Sequence, residues 1–560
     1  MKVVLIALNA KFVHTNLAVR YLKKYTEELD YKCEIKEFSI NDQLERILEA
    51  VIMERPQVVG LSCYIWNMEM ISKLVHLIKK VEPAIEIIYG GPEVSYDSRD
   101  FLEKSLGEYV IEGEGEETYK EFIEYKLSKR KLNEIKGLYY KEPSGEVKCL
   151  SSRPLLDMDK LIFPYEIDDN FDNKLVYYEA SRGCPFSCKY CLSSTIHGVR
   201  FRNIDMVKKE LLFLMNKNVT LVKFVDRTFN SNKRYARDLW KFLIEADTTT
   251  RFHFEISADL LTEEDIELLR TAPLNRFQFE IGVQTTNVQV VENIDRTMDV
   301  KEVASIVHKL RQRDNIKLHL DLIAGLPGED YASFKKSFNE VFYMNPHEIQ
   351  LGFLKLLKGS AMRAEEEKWG MVYAPYPPYE ILKNHYISYD ELLVLKKVEE
   401  VVDKYYNSGR FNSILKFLYP YFKEPFDFFL ELAAFFEEMG YFARSISGVE
   451  YYRIFLEFND SKVGADKITL EDLIKYDYLK HNKKSWIPDF LSRNITKDHE
   501  RKIKDILIEE YKVASTKGIY IEGFNMDMEK FLCLGLIEKK RCYIIYGMEN
   551  GEEKQFIENN

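Results

Sequence analysis

The sequence predicts an α/β protein in which two successive parallel-sheet domains are followed by a mainly helical one. Three observations carry this expectation. From residue 2 to about 128, short apolar runs alternate with amphipathic stretches, the pattern of a doubly wound sheet covered by helices on both faces. A second set of alternations runs from 175 to about 365, with polar residues where successive strands end, as in a barrel-like α/β domain. Beyond about 370 the strand signal gives way to aromatic and charged segments with helical spacing, such as DFFLELAAFFEEMGYFARS over 427–445.

The elements of the first domain follow in order. KVVLIAL (2–8) is a continuous apolar run, as expected of a strand buried on both faces. Its shortness and the lack of a small-residue cleavage site argue against a signal segment. Thr15 is the expected cap of a helix carrying Leu17, Tyr21, Tyr25 and Leu29 on one face. CEIKEFSI (33–40) alternates as a strand nearer an edge does, and Leu44, Ile47, Leu48, Val51 and Ile52 mark a second helix. VVGLSCY (58–64), EIIYGG (86–91) and EYVIEGEGE (108–116) read as the third, fourth and fifth strands, with helices over 67–82 and from Glu117 to about Lys126. The result is a five-stranded, doubly wound parallel sheet.

Ligands of such sheets sit outside the carboxyl ends of the strands. Here those ends are Asn9-Ala10-Lys11, Ser62-Cys63-Tyr64, Gly90-Gly91-Pro92-Glu93 and Glu112-Gly113-Glu114-Gly115. Small and polar residues at several strand ends describe a crevice for a flat, bulky ligand, because glycine lets the backbone approach closely; ordinary tight βα turns are the competing reading. No GxGxxG follows the first strand, which disfavours a dinucleotide.

Composition narrows the function classes. The chain has 560 residues, 46% hydrophobic and 31% charged, enough for about two to four domains with large cores. A net charge of -11 argues against broad electrostatic capture of nucleic acid, although a local basic patch stays compatible with it. No apolar stretch approaches the ~20 residues of a membrane span. Eight cysteines are too few for a disulfide scaffold. Cys33, Cys63, Cys149, Cys533 and Cys542 are scattered and expected to be buried free thiols, in keeping with a reducing, cytoplasmic location.

The other three cysteines crowd together. After a hairpin (IKGLYYK, a Pro143-Ser144-Gly145 turn, EVKCL) and a Pro-, Asp- and Asn-rich linker over 151–173, the strand LVYYEA (175–180) runs into SRGCPFSCKYC. The spacing of Cys184, Cys188 and Cys191 is C-x3-C-x2-C. Thiolates suit iron–sulfur clusters and zinc. Structural zinc takes four ligands and usually two CxxC knuckles; no second knuckle exists, so a zinc site would have to recruit His197. Three protein ligands on a cubane leave one iron open to a small molecule.

This loop, with the aromatic Tyr190 before its third cysteine, resembles the signature of the radical S-adenosylmethionine (SAM) superfamily. The resemblance implies a [4Fe–4S] cluster held by Cys184, Cys188 and Cys191, whose open iron chelates SAM and whose electron splits it to a 5′-deoxyadenosyl radical. It also implies that the strands at 175–180, 219–230, 252–261, 276–287, 316–329 and 347–360 form the partial (β/α) barrel of that superfamily. Tyr190, the Asp226-to-Asn230 turn, Glu280, Gln284 and the turn Gly325-Leu326-Pro327-Gly328 would surround SAM. Pairing of Glu280 with an arginine is the competing, structural reading. The superfamily's Gly-Gly-Glu motif is absent, and Val225-Asp226-Arg227-Thr228 stands in its place. Arg200 and Arg202 are candidates to bind a carboxylate or, equally, to serve the structure.

A five-stranded α/β domain ahead of such a barrel resembles the cobalamin (B12)-binding radical SAM class, and YGGPEVS resembles the stretch lying against the corrin there. Cobalamin would then contact Asn9, Lys11, Ser62, Cys63, Tyr64, Gly90, Gly91, Pro92, Glu93, Glu112 and Gly113 in this Rossmann-like domain. The D-x-H-x-x-G motif that supplies a histidine to cobalt is missing, so cobalamin is expected without a histidine ligand; His14, in the loop after the first strand, is the one alternative. The implied activity is methylation of an unactivated carbon in a small-molecule or peptide substrate. One SAM would methylate cob(I)alamin and a second would yield the radical, with electrons from a donor such as flavodoxin or ferredoxin. Ring contraction or cyclisation shares every motif, and a non-catalytic cobalamin or metal-binding sensor is the reading from another class. An RNA-modifying enzyme is disfavoured by the acidic balance.

The expected boundaries are a cobalamin domain over 1–130, hairpin and linker over 131–174, a radical SAM core over 175–365 and an accessory domain over 366–560. The last resembles an uncharacterised C-terminal domain found in a subgroup of that class; it would cover the barrel mouth or act as a structural cap. Small strands are expected within 515–550, and the acidic tail GEEKQFIENN (551–560) is expected to fray.

Overall fold

The structure is a computed structural model that describes residues 1–557 apart from 12, 197, 483–486, 510–515, 517 and 547–553. It divides into two compact units, 1–346 with 351–392, and 347–350 with 393–560.

The first unit holds the N-terminal sheet and five strands of the second. Strands β1 (Lys2–Asn9), β2 (Lys32–Ser39), β3 (Val58–Ser62), β4 (Glu86–Gly90) and β5 (Tyr109–Ile111) are parallel, in the order β2-β1-β3-β4-β5. These are the five expected strands. The hairpin β6 (Leu138–Lys141) and β7 (Val147–Cys149) joins the same sheet antiparallel to β5 and extends it to seven strands. Pairing of Tyr109 with Tyr140 and of Ile111 with Leu138 covers an edge whose backbone groups would otherwise lack partners. Helices Leu44–Ile52, Met68–Val81 and Ser98–Lys104 cover Val4, Ile6, Val59, Leu61 and Ile87 on one face. Helices Leu17–Tyr25 and Glu116–Lys126 cover Val3, Leu5, Ile88 and Ile111 on the other.

Three local expectations change. The cap of the first helix is Asn16, whose Oδ1 accepts from Val19 N at 3.2 Å, because the Thr15 hydroxyl donates instead to the Leu175 carbonyl (3.2 Å). β5 stops at Ile111 rather than near 116, since Gly113 turns the chain at φ +70°. The 151–173 segment is pinned rather than free: Leu156, Met158 and Leu161 are buried against Tyr21.

The second sheet has the order β15-β14-β13-β12-β11-β8, from β8 (Leu175–Tyr178), β11 (Leu221–Phe224), β12 (Arg251–Ile256), β13 (Phe277–Gln284), β14 (Lys317–Ala324) and β15 (Glu348–Phe353). β8 and β11–β14 pair in parallel. Between β8 and β11, β9 (Ser181–Cys184) and β10 (Gly198–Phe201) form an antiparallel ribbon. Side chains alternate across a strand. Val176, Tyr178, Phe224, Phe252, Phe254, Phe277, Phe279, Leu318 and Leu320 are buried on the outer face. Rings of Phe224 and Phe229 lie 4.6 and 4.3 Å from Phe254, with Trp240 of the helix Lys233–Glu245 beside them. Tyr177, Lys223, His253, Glu255, Glu280, His319 and Asp321 take the alternate, inner positions. A short ribbon of β16 (Val372–Tyr373) and β17 (Ile381–Lys383) follows.

The second unit is mainly helical, with Asn412–Leu418, Pro425–Glu438, Glu450–Phe458, Lys467–His481 and Lys497–Glu509. Phe426, Phe428, Phe429, Phe455 and Phe458 are buried there. A three-stranded antiparallel sheet comprises β18 (Tyr520–Phe524), β19 (Cys542–Tyr546) and β20 (Lys554–Ile557). The tail therefore departs from the expected fraying: Lys554–Ile557 pairs along the open edge of β19, and the rest of 551–560 lies outside the described residues. Among the described residues no helix is long and apolar enough to cross a membrane.

Candidate functional site

The three clustered cysteines lie at the end of β9, the ribbon strand that follows β8 of the second sheet, and in the loop after it. Gly183, just before Cys184, has φ +103°, and a Cβ there would fall 2.1 Å from the Gly198 carbonyl oxygen, so the ribbon closes only on glycine. The loop that follows is tied down at several points. Lys189 N donates to Ile294 O (2.9 Å), Met362 N donates to Lys189 O (2.9 Å), and Ser194 Oγ donates to Cys188 O (3.0 Å). Thr228 Oγ1 lies 3.6 Å from Cys184 Sγ. Arg296 Nη1 lies 3.6 Å from Cys188 Sγ and donates to the Tyr190 hydroxyl at 3.1 Å, while Nη2 holds the Gly282 carbonyl of β13. Polar hydrogens aimed at cysteine sulfurs are what iron-bound thiolates accept. Among the described residues no three His, Cys, Asp or Glu side chains converge as ligands of one metal ion; a cubane, which spreads its thiolates over separate irons, makes no such demand. His197 lies outside the described residues.

All eight cysteines are free thiols. Cys63 and Cys542 are buried as expected. Cys33 and Cys149 are half-buried and Cys533 is exposed, against expectation, because they fall on a partly covered edge strand, a hairpin end and a surface helix turn.

The residues expected around SAM have distinct surroundings. Asp226 is buried and its carboxylate accepts from Ala180 N (3.0 Å) and Ser181 Oγ (2.5 Å), pinning the step from β8 into β9. Burial pushes its pKa up to about 7. Glu280 accepts from His253 Nε2 (2.9 Å) and Lys223 Nζ (3.1 Å). Burial disfavours its charge, yet these two partners pull it down to about 2. The pairing is thus with lysine and histidine, not with the arginine of the structural alternative. Gln284 holds φ +71°, uncommon for a residue with a side chain, and its buried Oε1 lacks a hydrogen-bond partner. Gly325 has φ +87°, its carbonyl accepts from Asn384 Nδ2 (2.9 Å), and a Cβ there would come 2.7 Å from Ile381. Four residues on, buried Glu329 accepts from Thr285 Oγ1 (2.6 Å) and Ser337 Oγ (3.0 Å), joining the turns after β13 and β14.

Sequence reasoning missed several groups. Arg296 lies 108 residues from Cys188 in the chain and carried no local signal. Lys223, His253, His319 and Asp321 were legible as the polar half of a period-two alternation inside apolar strands. Asp321 Oδ1 is buried without a hydrogen-bond partner, and burial together with Glu280 and Glu255 pushes its carboxyl well up. Arg200 and Arg202 meet protein carboxylates: Arg202 grips Glu210 at 2.6 Å with both terminal nitrogens, and Arg200 reaches Glu114.

At the carboxyl ends of the first sheet, Asn9, Ser62 and Gly90 share the face covered by helices Leu17–Tyr25 and Glu116–Lys126. Asn9 Nδ2 donates to His14 O (3.0 Å) and Ser62 Oγ to Ile6 O (3.3 Å). A Cβ at Gly90 would meet only Ile111, at 3.8 Å, and one at Gly113 would meet nothing within 4 Å. Glu112 Oε2 and Glu116 Oε2 are buried without hydrogen-bond partners. Open space over small residues, bordered by unsatisfied acceptors, fits a bulky ligand with amide side arms. Gly91, at φ +117°, is required for a different reason: a Cβ would lie 2.5 Å from the Cys63 carbonyl oxygen. Pro92 starts a four-residue helix, and Lys11 is exposed. Tyr64 stacks on Trp66 at 4.5 Å, and Asn67 Oδ1 accepts from Tyr64 N (2.8 Å). Cys63 turns its side chain into the opposite apolar core, so it offers the crevice backbone alone. Glu93 is buried and accepts from Tyr379 OH (2.9 Å).

The two halves of the site touch. His14 Nδ1 lies 2.8 Å from the hydroxyl of Tyr177 on β8, and burial with nearby Lys11 and Lys223 lowers its pKa. Tyr96 OH lies 3.0 Å from Thr195 Oγ1 in the cysteine loop. Lys358 pairs with Asp97 at 2.9 Å and donates to Glu93 O.

Comparison with known proteins agrees with this geometry. Residues 3–123 match the B12 binding domain, 178–341 the radical SAM superfamily, and 367–546 the family described as Protein of unknown function (DUF4080). An uncharacterized methyltransferase of Pyrococcus horikoshii is 31% identical over 285 residues, 49% of this chain and 61% of that protein. The cobalamin-dependent radical SAM methyltransferase TokK of Streptomyces tokunonensis is 25% identical over 356 residues, 58% of this chain and 51% of its own. The chain thus spans between about half and three fifths of the length of these curated relatives. In fold it is similar to the cobalamin-dependent SAM radical enzyme OxsB with aqua-cobalamin and SAM bound, at a TM-score of 0.58 and 16% identity over 91% of this chain and 81% of that one. The radical SAM domain implies a [4Fe–4S] cluster and SAM, and the B12 domain implies cobalamin. The chain carries matches to a B12 binding domain, a radical SAM domain and DUF4080 in that order, and is similar to cobalamin-dependent radical SAM proteins.

Proposed function

We propose that this protein is a cobalamin-dependent radical SAM methyltransferase that methylates an unactivated carbon of a small-molecule or peptide substrate. The observation that carries the reading is the meeting, inside one unit, of an open strand-end crevice over Gly90 and Gly113 with a three-cysteine loop. Cys184, Cys188 and Cys191 would hold the cluster, and Asn9, Ser62, Gly90, Gly91, Glu112 and Gly113 would border the corrin. When bound, the cluster supplies the electron that cleaves SAM, and cobalamin supplies the methyl group. Arg296 fixes the loop by donating to Cys188 Sγ and to Tyr190 OH. Thr228 supports Cys184, and buried Asp226 holds the backbone that leads into it. Gln284, whose Oε1 has no protein partner, and the Gly325 turn offer polar contacts to SAM. The Glu280–Lys223–His253 set keeps the inner face of the sheet ordered and polar rather than collapsed. An electron donor such as flavodoxin or ferredoxin would serve the cluster, and a cytoplasmic location suits reduced thiols.

The test is anaerobic turnover of reconstituted protein with SAM carrying a deuterated methyl group. The expected result is 5′-deoxyadenosine together with label in a product. Deoxyadenosine with no labelled product would sink the methyltransferase assignment.

A further inference from the structure

The cysteine ribbon and the turn after β5 are joined by a half-buried ionic network that the chemistry proposed above does not use. Arg182 lies on β9, two residues before Cys184. Its Nη2 donates to Glu116 Oε1 at 2.5 Å, its Nη1 lies 3.6 Å from Glu114 Oε1, and its Nε donates to Glu179 Oε2 at 3.0 Å. Directly across the ribbon from Arg182 stands Arg200. Two like charges facing each other on paired strands repel, and Glu114 stands between them: Arg200 Nη1 donates to Glu114 Oε2 at 3.2 Å and Nη2 to Oε1. Glu114 also accepts from Leu156 N at 2.6 Å. The side chains of Arg182, Glu114, Glu116 and Glu179 are each no more than 15% exposed.

Both ends of this network are places where a cofactor would sit. Glu114 and Glu116 follow the turn at Gly113, where the crevice is open, and Glu116 opens the helix Glu116–Lys126 with its second oxygen buried and unpartnered. Arg182 is next to Gly183, whose backbone fits the ribbon only as glycine, and two residues from Cys184 on the same strand.

We propose that Arg182, Glu114 and Glu116 are positioning residues that couple cobalamin binding in the crevice to the geometry of the cysteine loop. A corrin seated against the 112–116 turn orders Glu114 and Glu116, which fix Arg182 and hence the first cluster ligand. By linkage, an assembled cluster tightens cobalamin binding by the same factor. The inference rests on the cofactor assignment above and does not depend on the methyl-transfer step.

The experiment titrates the full-length protein anaerobically with hydroxocobalamin, with and without its reconstituted cluster, following the visible spectrum. The cluster-loaded wild type is expected to bind about fivefold or more tightly than the cluster-free form. Cobalamin should in turn slow iron loss to a chelator. E116Q and R182M are expected to bind hydroxocobalamin with that ratio reduced to near unity, and R182K, which keeps the charge, to recover part of it. E114Q serves where either variant fails to fold. Equal affinity of the two wild-type forms, or a ratio unchanged in folded E116Q and R182M, overturns the coupling alone. Failure of both wild-type forms to bind hydroxocobalamin overturns the cofactor assignment and the coupling together.

Discussion

The two parallel sheets differ in where they keep their polar groups. The N-terminal sheet is apolar on both faces, and its polar and small residues gather at the carboxyl ends of β1, β3, β4 and β5. The second sheet is apolar on its outer face only. Its inner face carries Lys223, His253, Glu255, Glu280 and Asp321. A sheet covered on both sides can present a ligand only at its edge, so it suits a flat group laid across strand ends. A curved sheet with one open face can surround a small molecule, but the charges lining it must be paired or kept neutral. Glu280 meets the first condition through Lys223 and His253, while burial and the neighbouring Glu280 and Glu255 push the Asp321 carboxyl toward the second.

If the sheets divide the work in this way, damage to each should be separable. The largest effect is expected at the cysteine loop. C184A, C188A or C191A should reduce 5′-deoxyadenosine formation by more than ~100-fold, while hydroxocobalamin affinity changes only by the modest coupling factor. Deoxyadenosine formation that survives would break the division at its strongest point.

The converse variant is G91V. Its side chain would strike the Cys63 carbonyl, and φ +117° is strained for valine. Cobalamin affinity should fall by about 10-fold or more, given a local strain of about 1–3 kcal/mol, and the uncoupled formation of deoxyadenosine should persist. Loss of both to the same degree would show that the sheets do not act separately.

A smaller effect is expected of R296M, which removes the donor to Cys188 Sγ and Tyr190 OH. By analogy with outer groups around other metal sites, iron retention or SAM cleavage should drop about 10-fold. Electron paramagnetic resonance of the reduced protein would report an altered cluster environment, with R296K closer to wild type. An unchanged spectrum in R296M would remove Arg296 from the site.

The smallest effect is on pH-dependent stability. Burial holds Asp226 and Glu329 at about 7, above the ordinary carboxylate range around 4. The folded protein therefore keeps protons that the unfolded chain releases. Their contribution is full below about 4, declines as pH rises and is gone above about 7. Urea denaturation should find the protein more stable at pH 5.5 than at 7.5, and D226N should flatten the slope. A rise in stability over that window would show that other groups dominate.

Much of this was legible in the chain. Continuous apolar runs such as Lys2–Asn9 and alternating ones such as Lys317–Ala324 mark their strands, because period-two burial is written residue by residue. The cysteine spacing is likewise local chemistry. The roles of Asp226, Glu280, Cys63 and Arg200 were not legible, because residue type says what a side chain can do and not which partner reaches it.

By itself the sequence determined the order of the three regions, the strands of both sheets and the clustering of three cysteines in one loop, all of which depend on short-range pattern. Tertiary structure alone decided that the hairpin at 138–149 closes the first sheet, that Arg296 meets a cysteine 108 residues away, and that Arg182 and Arg200 share Glu114 with the crevice. Those contacts join segments far apart in the chain. Their free energy comes from burying charge and backbone together, which no local window of sequence records.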